Sequence, residues 1–238
     1  MDKSGCKKII AHLLGTKEDE SDVIGVYPLL PNGTCRFIVF DFDNHEKGAE
    51  VTDFANTDNE WHKEVEALRK MCELNGIRPL VERSHSGKGA HVWIFFKKAI
   101  PAATARNFGF LLLDKGSTSI NLKSFHYYDR MYPSQDVASS IGNLIALPLQ
   151  GQALKNGNSA FVDENWNTYP NQWDILFNKT RKLGIEDVVG KIHLVLGNGV
   201  YIDTLNLMPR IQNQIRSLEA FDNPEFYKNK RLGYSNYY

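Results

Sequence analysis

The chain has 238 residues, with 28 Lys+Arg balanced by 28 Asp+Glu. No global basic field marks it as a nucleic-acid binder, so any such contact has to use a local patch. Apolar content of 42% and charged content of 24% are those of a globular protein with a sizeable core. The three cysteines, Cys6, Cys35 and Cys72, stand apart from one another, which excludes a zinc site built on paired cysteines. With no apolar run of transmembrane length and no leader pattern, the expectation is a cytoplasmic protein with no membrane partner.

In chain order, residues 3–14 read as a helix with Ile9, Ile10, Leu13 and Leu14 on one face and a stop at Gly15. Val23–Leu30 reads as a strand. Pro31-Asn32-Gly33 turns it into a second strand, Cys35–Asp43, as an antiparallel neighbour. That second strand is the most informative stretch. Apolar β-formers run unbroken from Phe37 to Phe40 and resume at Phe42, as in a strand covered on both faces. Alternation then puts Asp41 and Asp43 on one side, one pleat apart. Carboxylates beside Phe40 and Phe42 need compensation, and a hard divalent cation such as Mg²⁺ or Mn²⁺ is the natural choice. The alternative is a plain polar turn at the strand end.

Asn44–Asp58 is a polar loop. A helix follows over 57–75, with Trp61, Val65, Leu68 and Cys72 at helical spacing as core residues and Gly76 as its end. Pro79–Ser84 and Ala90–Phe96 form a β-hairpin around His85-Ser86-Gly87-Lys88-Gly89. The glycines and Lys88 make this tip a plausible phosphate cradle, with Ser86 adding a hydroxyl and His91 following. It is no P-loop, since the spacing is absent and a strand comes next. Arg83 either joins the same pocket or pairs with Glu82 or another acid.

A helix is expected over 102–113 with Phe108, Leu111 and Leu112 inward, then a loop or short element over 115–122. Asp129 and Asp136 are candidate third acids for a two-metal centre. Asn143 heads a strand, Asn143–Leu149, where it either contacts a nucleotide or caps the strand, and Ser159–Val162 is a further strand. Helices are expected at 171–182, 209–219 and 224–230. The fold class is therefore α+β, with residues 1–165 as a core and 166–238 as a helical appendage of the same domain.

The order is D-x-D on a strand, then Ser86-Gly87-Lys88-Gly89-Ala90-His91 in a hairpin, then Tyr128-Asp129-Arg130 and Gly142-Asn143-Leu144-Ile145. It resembles the archaeo-eukaryotic primase superfamily, and most closely the primase domains of CRISPR-associated primase-polymerases and TOTE conflict systems. The resemblance implies an α/β module packed on an RRM-like antiparallel sheet module. It implies a template-dependent nucleotidyltransferase in which Asp41, Asp43 and Asp129 hold two Mg²⁺ or Mn²⁺ ions. Ser86, Gly87, Lys88, Gly89 and His91 would hold the incoming nucleoside triphosphate, with Asn143 as a further nucleotide contact. Single-stranded or primed template is the implied partner, with Lys179–Lys182 and Lys228–Arg231 as candidate contacts, and CRISPR adaptation proteins are implied as further partners.

Overall fold

A computed structural model describes residues 3–17, 19, 21–44, 60–119, 125–136 and 143–196. The elements are α1 (Lys3–Leu14), β1 (Gly25–Val26), β2 (Thr34–Asp43), α2 (Glu60–Leu74), β3 (Leu80–Arg83), β4 (Gly89–Pro101), α3 (Ala102–Ser119) and β5 (Tyr128–Tyr132). Then come β6 (Ile145–Ala146), α4 (Gly151–Lys155), β7 (Ala160–Val162), α5 (Gln172–Asp174), a π-helical turn (Ile175–Lys179) and α6 (Ile185–Leu196). Five strands form one antiparallel sheet in the order β5-β2-β4-β3-β7, and β1 pairs with β6 separately. The fold is α+β.

Strand alternation gives the sheet two different faces. Ile38, Phe40, Phe42, Val81, Val92 and Met131 pack into a large cluster with the helices. The opposite face carries Val39, Leu80, Trp93, Tyr132 and Phe161, covered by Ile145 and Leu149 and by Ile175 and Leu176. Helix α2 buries Trp61, Val65, Leu68 and Cys72, the expected stripe, and ends at Gly76 with φ +66°. Helix α3 buries Phe108, Phe110, Leu111, Leu112 and Leu113, an apolar girdle wider than one stripe, because it meets α2, α6 and the sheet together. Gly109 makes the closest approach possible: a Cβ there would lie 2.2 Å from Met131 Sδ.

Several elements differ from expectation. The strand expected at Val23–Leu30 is only Gly25–Val26, and its partner is β6 rather than β2. A single bridge, Leu29 to Cys35, is what remains of the expected pairing. Pro28 has no N–H to continue a ladder. Ile24 is drawn elsewhere, donating its N–H to His12 Nδ1 at 3.2 Å and accepting from Leu147 N. The strand expected over 143–149 is similarly only Ile145–Ala146, with Pro148 and a left-handed Leu149 (φ 69°) beyond it. Helix α3 continues through residues 115–119 instead of stopping at Leu113. Helices α4 and α6 were not foreseen. The helix expected over 171–182 is α5 plus the π turn, ending at Thr180. The helices expected at 209–219 and 224–230 lie outside the described residues. No helix among the described residues is long and apolar enough to cross a membrane.

Two glycines set opposite expectations for stability. A Cβ on Gly89 would lie 2.1 Å from Phe42 O, so Gly89→Ala has to part β4 from β2 and should cost about 2–3 kcal/mol in denaturant unfolding. Gly190, on α6, has nothing within 4 Å of its Cβ position, so Gly190→Ala should gain about 0.5–1 kcal/mol in the same measurement.

Candidate active site

Strand β2 runs between β4 and β5, and its register decides which side chains meet. Asp41 is paired with His91 on β4 and with Arg130 on β5, and Asp43 is paired with Gly89. His91 Nε2 lies 3.6 Å from Asp41 Oδ1, and His91 Nδ1 lies 3.0 Å from Glu82 Oε2. Glu82, on β3, is 1% exposed. It accepts a 2.8 Å bond from Trp93 Nε1 and a 3.4 Å bond from Ser159 Oγ, so its lone pairs are occupied despite burial. Both nitrogens of His91 thus face carboxylates, an arrangement that suits the imidazolium, which has two donors and no acceptor.

The third acid arrives through a bulge. The β2–β5 ladder pairs Asp41 with Arg130 but Phe42 with Tyr128, so Asp129 is the extra residue on β5. Such a bulge redirects successive side chains. Arg130 Nε donates to Asp129 Oδ2 at 2.8 Å, and both side chains are largely buried. Glu64, on α2, fixes the approach to β5 by accepting from the N–H groups of His126 and Tyr127, at 2.5 and 2.8 Å. Tyr127 O in turn accepts from Asp43 N at 2.8 Å. A buried helix carboxylate therefore ties β5 to the end of β2 beside the acids.

The electrostatics follow from this crowding. The Asp41 carboxyl is raised to about 6, chiefly by burial, with Asp129 and Asp43 adding to the rise and His91 and Arg130 opposing it. Burial acts to lower His91, but Glu82 first, and Asp41 and Asp43 after it, raise it to about 9. Three acids crowd one site on an otherwise apolar sheet, with one histidine and one arginine against them.

The hairpin tip differs in detail from an open cradle. Gly87 (φ +74°) donates its N–H to Ser84 O at 3.0 Å. Gly89 N donates to Ser84 Oγ at 3.1 Å, and Lys88 N to Ser86 Oγ at 3.2 Å. The loop N–H groups are thus satisfied within the turn, and Gly89 is glycine because β4 must approach β2. Ser86 and Lys88 are exposed beside this end of β2, where Lys88 O accepts from Asn44 N at 3.0 Å. Arg83 is not in the site: it donates to Gly157 O and Trp166 O, both at 2.6 Å. Asp136 is also elsewhere. Its carboxylate is paired with Arg106 at 2.6 Å, and its carbonyl lies against Gly33 at the opposite end of β2. Seven residue steps along β2, from Thr34 to Asp41, separate that end from Asp41, about 23 Å at ~3.3 Å per residue. Asn143 is exposed and donates to Ser134 Oγ at 2.8 Å, beyond the Tyr132 end of β5 and not its Asp129 end.

Glu82 and Arg130 are the members that sequence reasoning did not assign. Glu82 had a signal: counting outward from the hairpin tip pairs it with His91. Arg130 had none, because its place opposite Asp41 depends on the pairing of β2 with β5, two strands far apart in the chain.

Asp41, Asp43 and Asp129 are hard oxygen donors of surplus negative charge, a set that suits Mg²⁺ or Mn²⁺. Among the described residues no three potential ligands already converge as a metal cage. Asp129 is turned to Arg130 and Asp41 to His91. The donor chemistry fits a divalent ion, and the charge that ion would replace is held by these two cations.

The model of the archaeo-eukaryotic primase domain of TOTE conflict systems matches residues 3–189. The chain belongs to this family. The matched span contains every element of the acidic site, so the domain is of the primase-like nucleotidyltransferase kind, with nucleotides and nucleic acid as its substrate classes. No curated protein matches the chain.

The paired charges predict a pH signature. His91 titrates higher folded than the ordinary 6.5, so its stabilisation is complete below pH 6.5 and is lost as pH rises through about 9. Asp41 has the opposite sign: its raised value costs stability, absent below pH 4 and complete above about 6. Denaturant unfolding should show the wild type losing on the order of 2–3 kcal/mol between pH 6.5 and 9.5, and His91→Gln should flatten that loss.

Proposed function

We propose that this domain joins nucleoside triphosphates to a primer end or starting nucleotide on a single-stranded template. The observation that carries the reading is the pairing of Asp41 with His91 on one side and with the Asp129–Arg130 bulge on the other. It assembles acids and cations on one sheet face inside the span matched by a primase family.

In this reading Asp41, Asp43 and Asp129 hold two Mg²⁺ or Mn²⁺ ions. Bound there, the ions supply charge neutralisation for the triphosphate and activation of the attacking hydroxyl. His91, kept protonated by Glu82, donates from Nε2 to a phosphate oxygen. Lys88 and Ser86, exposed on the adjoining tip, contact the outer phosphates, and the Gly87 and Gly89 amides contribute where the Ser84 carbonyl and the Ser84 hydroxyl release them. Arg130 holds Asp129 in place until the cations arrive. The protein positions the reactants and compensates charge, and no covalent intermediate on the chain is needed. The family match supports a conflict-system setting and lends nothing to a partnership with CRISPR adaptation proteins.

The test uses the full chain with Mn²⁺ or Mg²⁺, labelled nucleoside triphosphates and single-stranded template, with and without primer. Lengthened product supports the reading, and shortened template points to a nuclease instead. Asp41→Ala, Asp43→Asn and Asp129→Ala should each lower incorporation roughly 10²-fold or more with the circular dichroism spectrum unchanged. Asp136→Ala should retain incorporation, because its carboxylate serves Arg106 at the far end of β2. Loss with Asp136→Ala and retention with Asp129→Ala would sink the assignment.

A further inference from the structure

Two aromatic rings are left in solvent on the segment that follows β7. Trp173 is 47% exposed and Phe177 70%. Their rings stack at 5.8 Å between centroids and 12° between planes. Such a pair placed outward stabilises the core little, and large apolar side chains exposed together mark a contact surface.

The segment beneath them is rigidly held. Gln172 works like a strand residue against the edge of the sheet: its Oε1 accepts from Phe161 N at 2.6 Å and its Nε2 donates to Phe161 O at 3.0 Å. Asn171 caps the start through Asp174 N, and Thr180 Oγ1 closes the π turn on Ile175 O at 3.0 Å. Ile175 and Leu176 face inward, onto the cluster that holds Val39, Trp93 and Tyr132. That is the sheet face on which Asp41 and His91 also lie. The aromatic pair therefore rides on a fixed support on the active-site side of the sheet. A π turn is a rare local choice that recurs at functional positions.

Charge narrows the occupant. Lys179, Arg181 and Lys182 follow at once, all exposed. Arg181 reaches back to Gly76 O at 3.2 Å, which ties this run to the end of α2. The acid between the two rings, Asp174, has its carboxylate engaged by Asn178 Nδ2 at 2.8 Å. Flat aromatic rings beside a basic run fit an unpaired nucleotide strand, whose bases stack without sequence preference and whose phosphates pair with the cations.

We infer that Trp173 and Phe177, with Lys179 and Lys182, form a stacking platform for single-stranded nucleic acid. This rests on the reading of the domain as template-dependent and adds where the unpaired template is gripped.

The tryptophans provide the probe. Trp61, Trp93 and Trp166 are 5%, 2% and 2% exposed, so a quencher added from solvent reports on Trp173. The full chain is titrated with a 15-residue oligothymidylate in EDTA, followed by tryptophan quenching and, with a dye-labelled strand, by anisotropy. Quenching is expected in the wild type and lost in Trp173→Phe, which keeps a stacking ring and binds the strand. The Trp173→Ala/Phe177→Ala double variant should bind at least tenfold more weakly, and Lys179→Ala/Lys182→Ala should flatten the salt dependence. Circular dichroism and triphosphate binding should be unchanged in all of them. Wild-type binding without quenching, undiminished in the double alanine variant, overturns the platform and leaves template-dependent synthesis standing. Failure of the wild type to bind any single strand overturns both. Self-association in sedimentation velocity that the double variant abolishes makes a second copy of the chain the occupant and also overturns the platform.

Discussion

Asp41 is buried in a sheet whose neighbouring strands offer it one histidine and one arginine, and much of the site follows from keeping that carboxylate in place. A buried carboxylate with no partner is expensive. Here the compensation is a chain: Asp41 to His91, His91 to Glu82, and Glu82 to Trp93 and Ser159. Glu82 lies deepest, and its acceptors are filled by three side chains. It holds the imidazole with Nδ1 inward and so directs Nε2 to the acids. The same register that builds this chain brings Asp129 from the other side. The raised Asp41 shows the cost of burying this carboxylate first and of gathering Asp129 and Asp43 beside it second, and a divalent cation would relieve it.

The division of the sheet into two faces makes this possible. One face is a continuous apolar surface under α2, α3 and α6 and carries the stability. The other is apolar over most of its area but polar at the Asp41 end. Local irregularities occur at that end. The bulge at Asp129 breaks the ladder, and Gly89 lets β4 close on β2 where any side chain would collide with Phe42 O. Helix α2 reaches across through Glu64 to hold the backbone entering β5. Packing on the first face thereby sets geometry on the second.

The hairpin tip has two layers of purpose. Its serines satisfy the turn from within, through Ser84 and Ser86. Its Lys88 and Ser86 are exposed at the end of β2 that carries the acids. Amides held by hydroxyl groups fix the shape of the loop from within. Glycine content alone does not separate these roles, since Gly87 serves a left-handed turn and Gly89 a close strand contact.

What the sequence determined by itself was everything set by short-range pattern. The apolar run 37–42 made β2 a central strand, alternation put Asp41 and Asp43 on one side, the 61–65–68–72 spacing made the buried stripe of α2, and the glycine-centred tip made a hairpin that carries His91. The order of these motifs was enough to point to the primase family. Tertiary structure decided what depends on residues far apart in the chain. Strand pairing was misjudged at Val23–Leu30, because His12 and Leu147 claim Ile24 and Pro28 cannot extend a ladder. Asp129 and Asp136 are alike as neighbours in sequence, yet a five-residue strand carries them to opposite ends of β2, one to the acids and one to Arg106. Arg83 is the site cation the sequence suggests, and Arg130 is the one the sheet uses. Pleat parity sends the first to the backbone carbonyls of Gly157 and Trp166, and the pairing of β2 with β5 sets the second opposite Asp41, with an unmarked bulge adding Asp129 beside it. Side-chain parity along a strand is local, but which strands lie side by side, and where a bulge shifts their register, is settled only when the whole sheet packs.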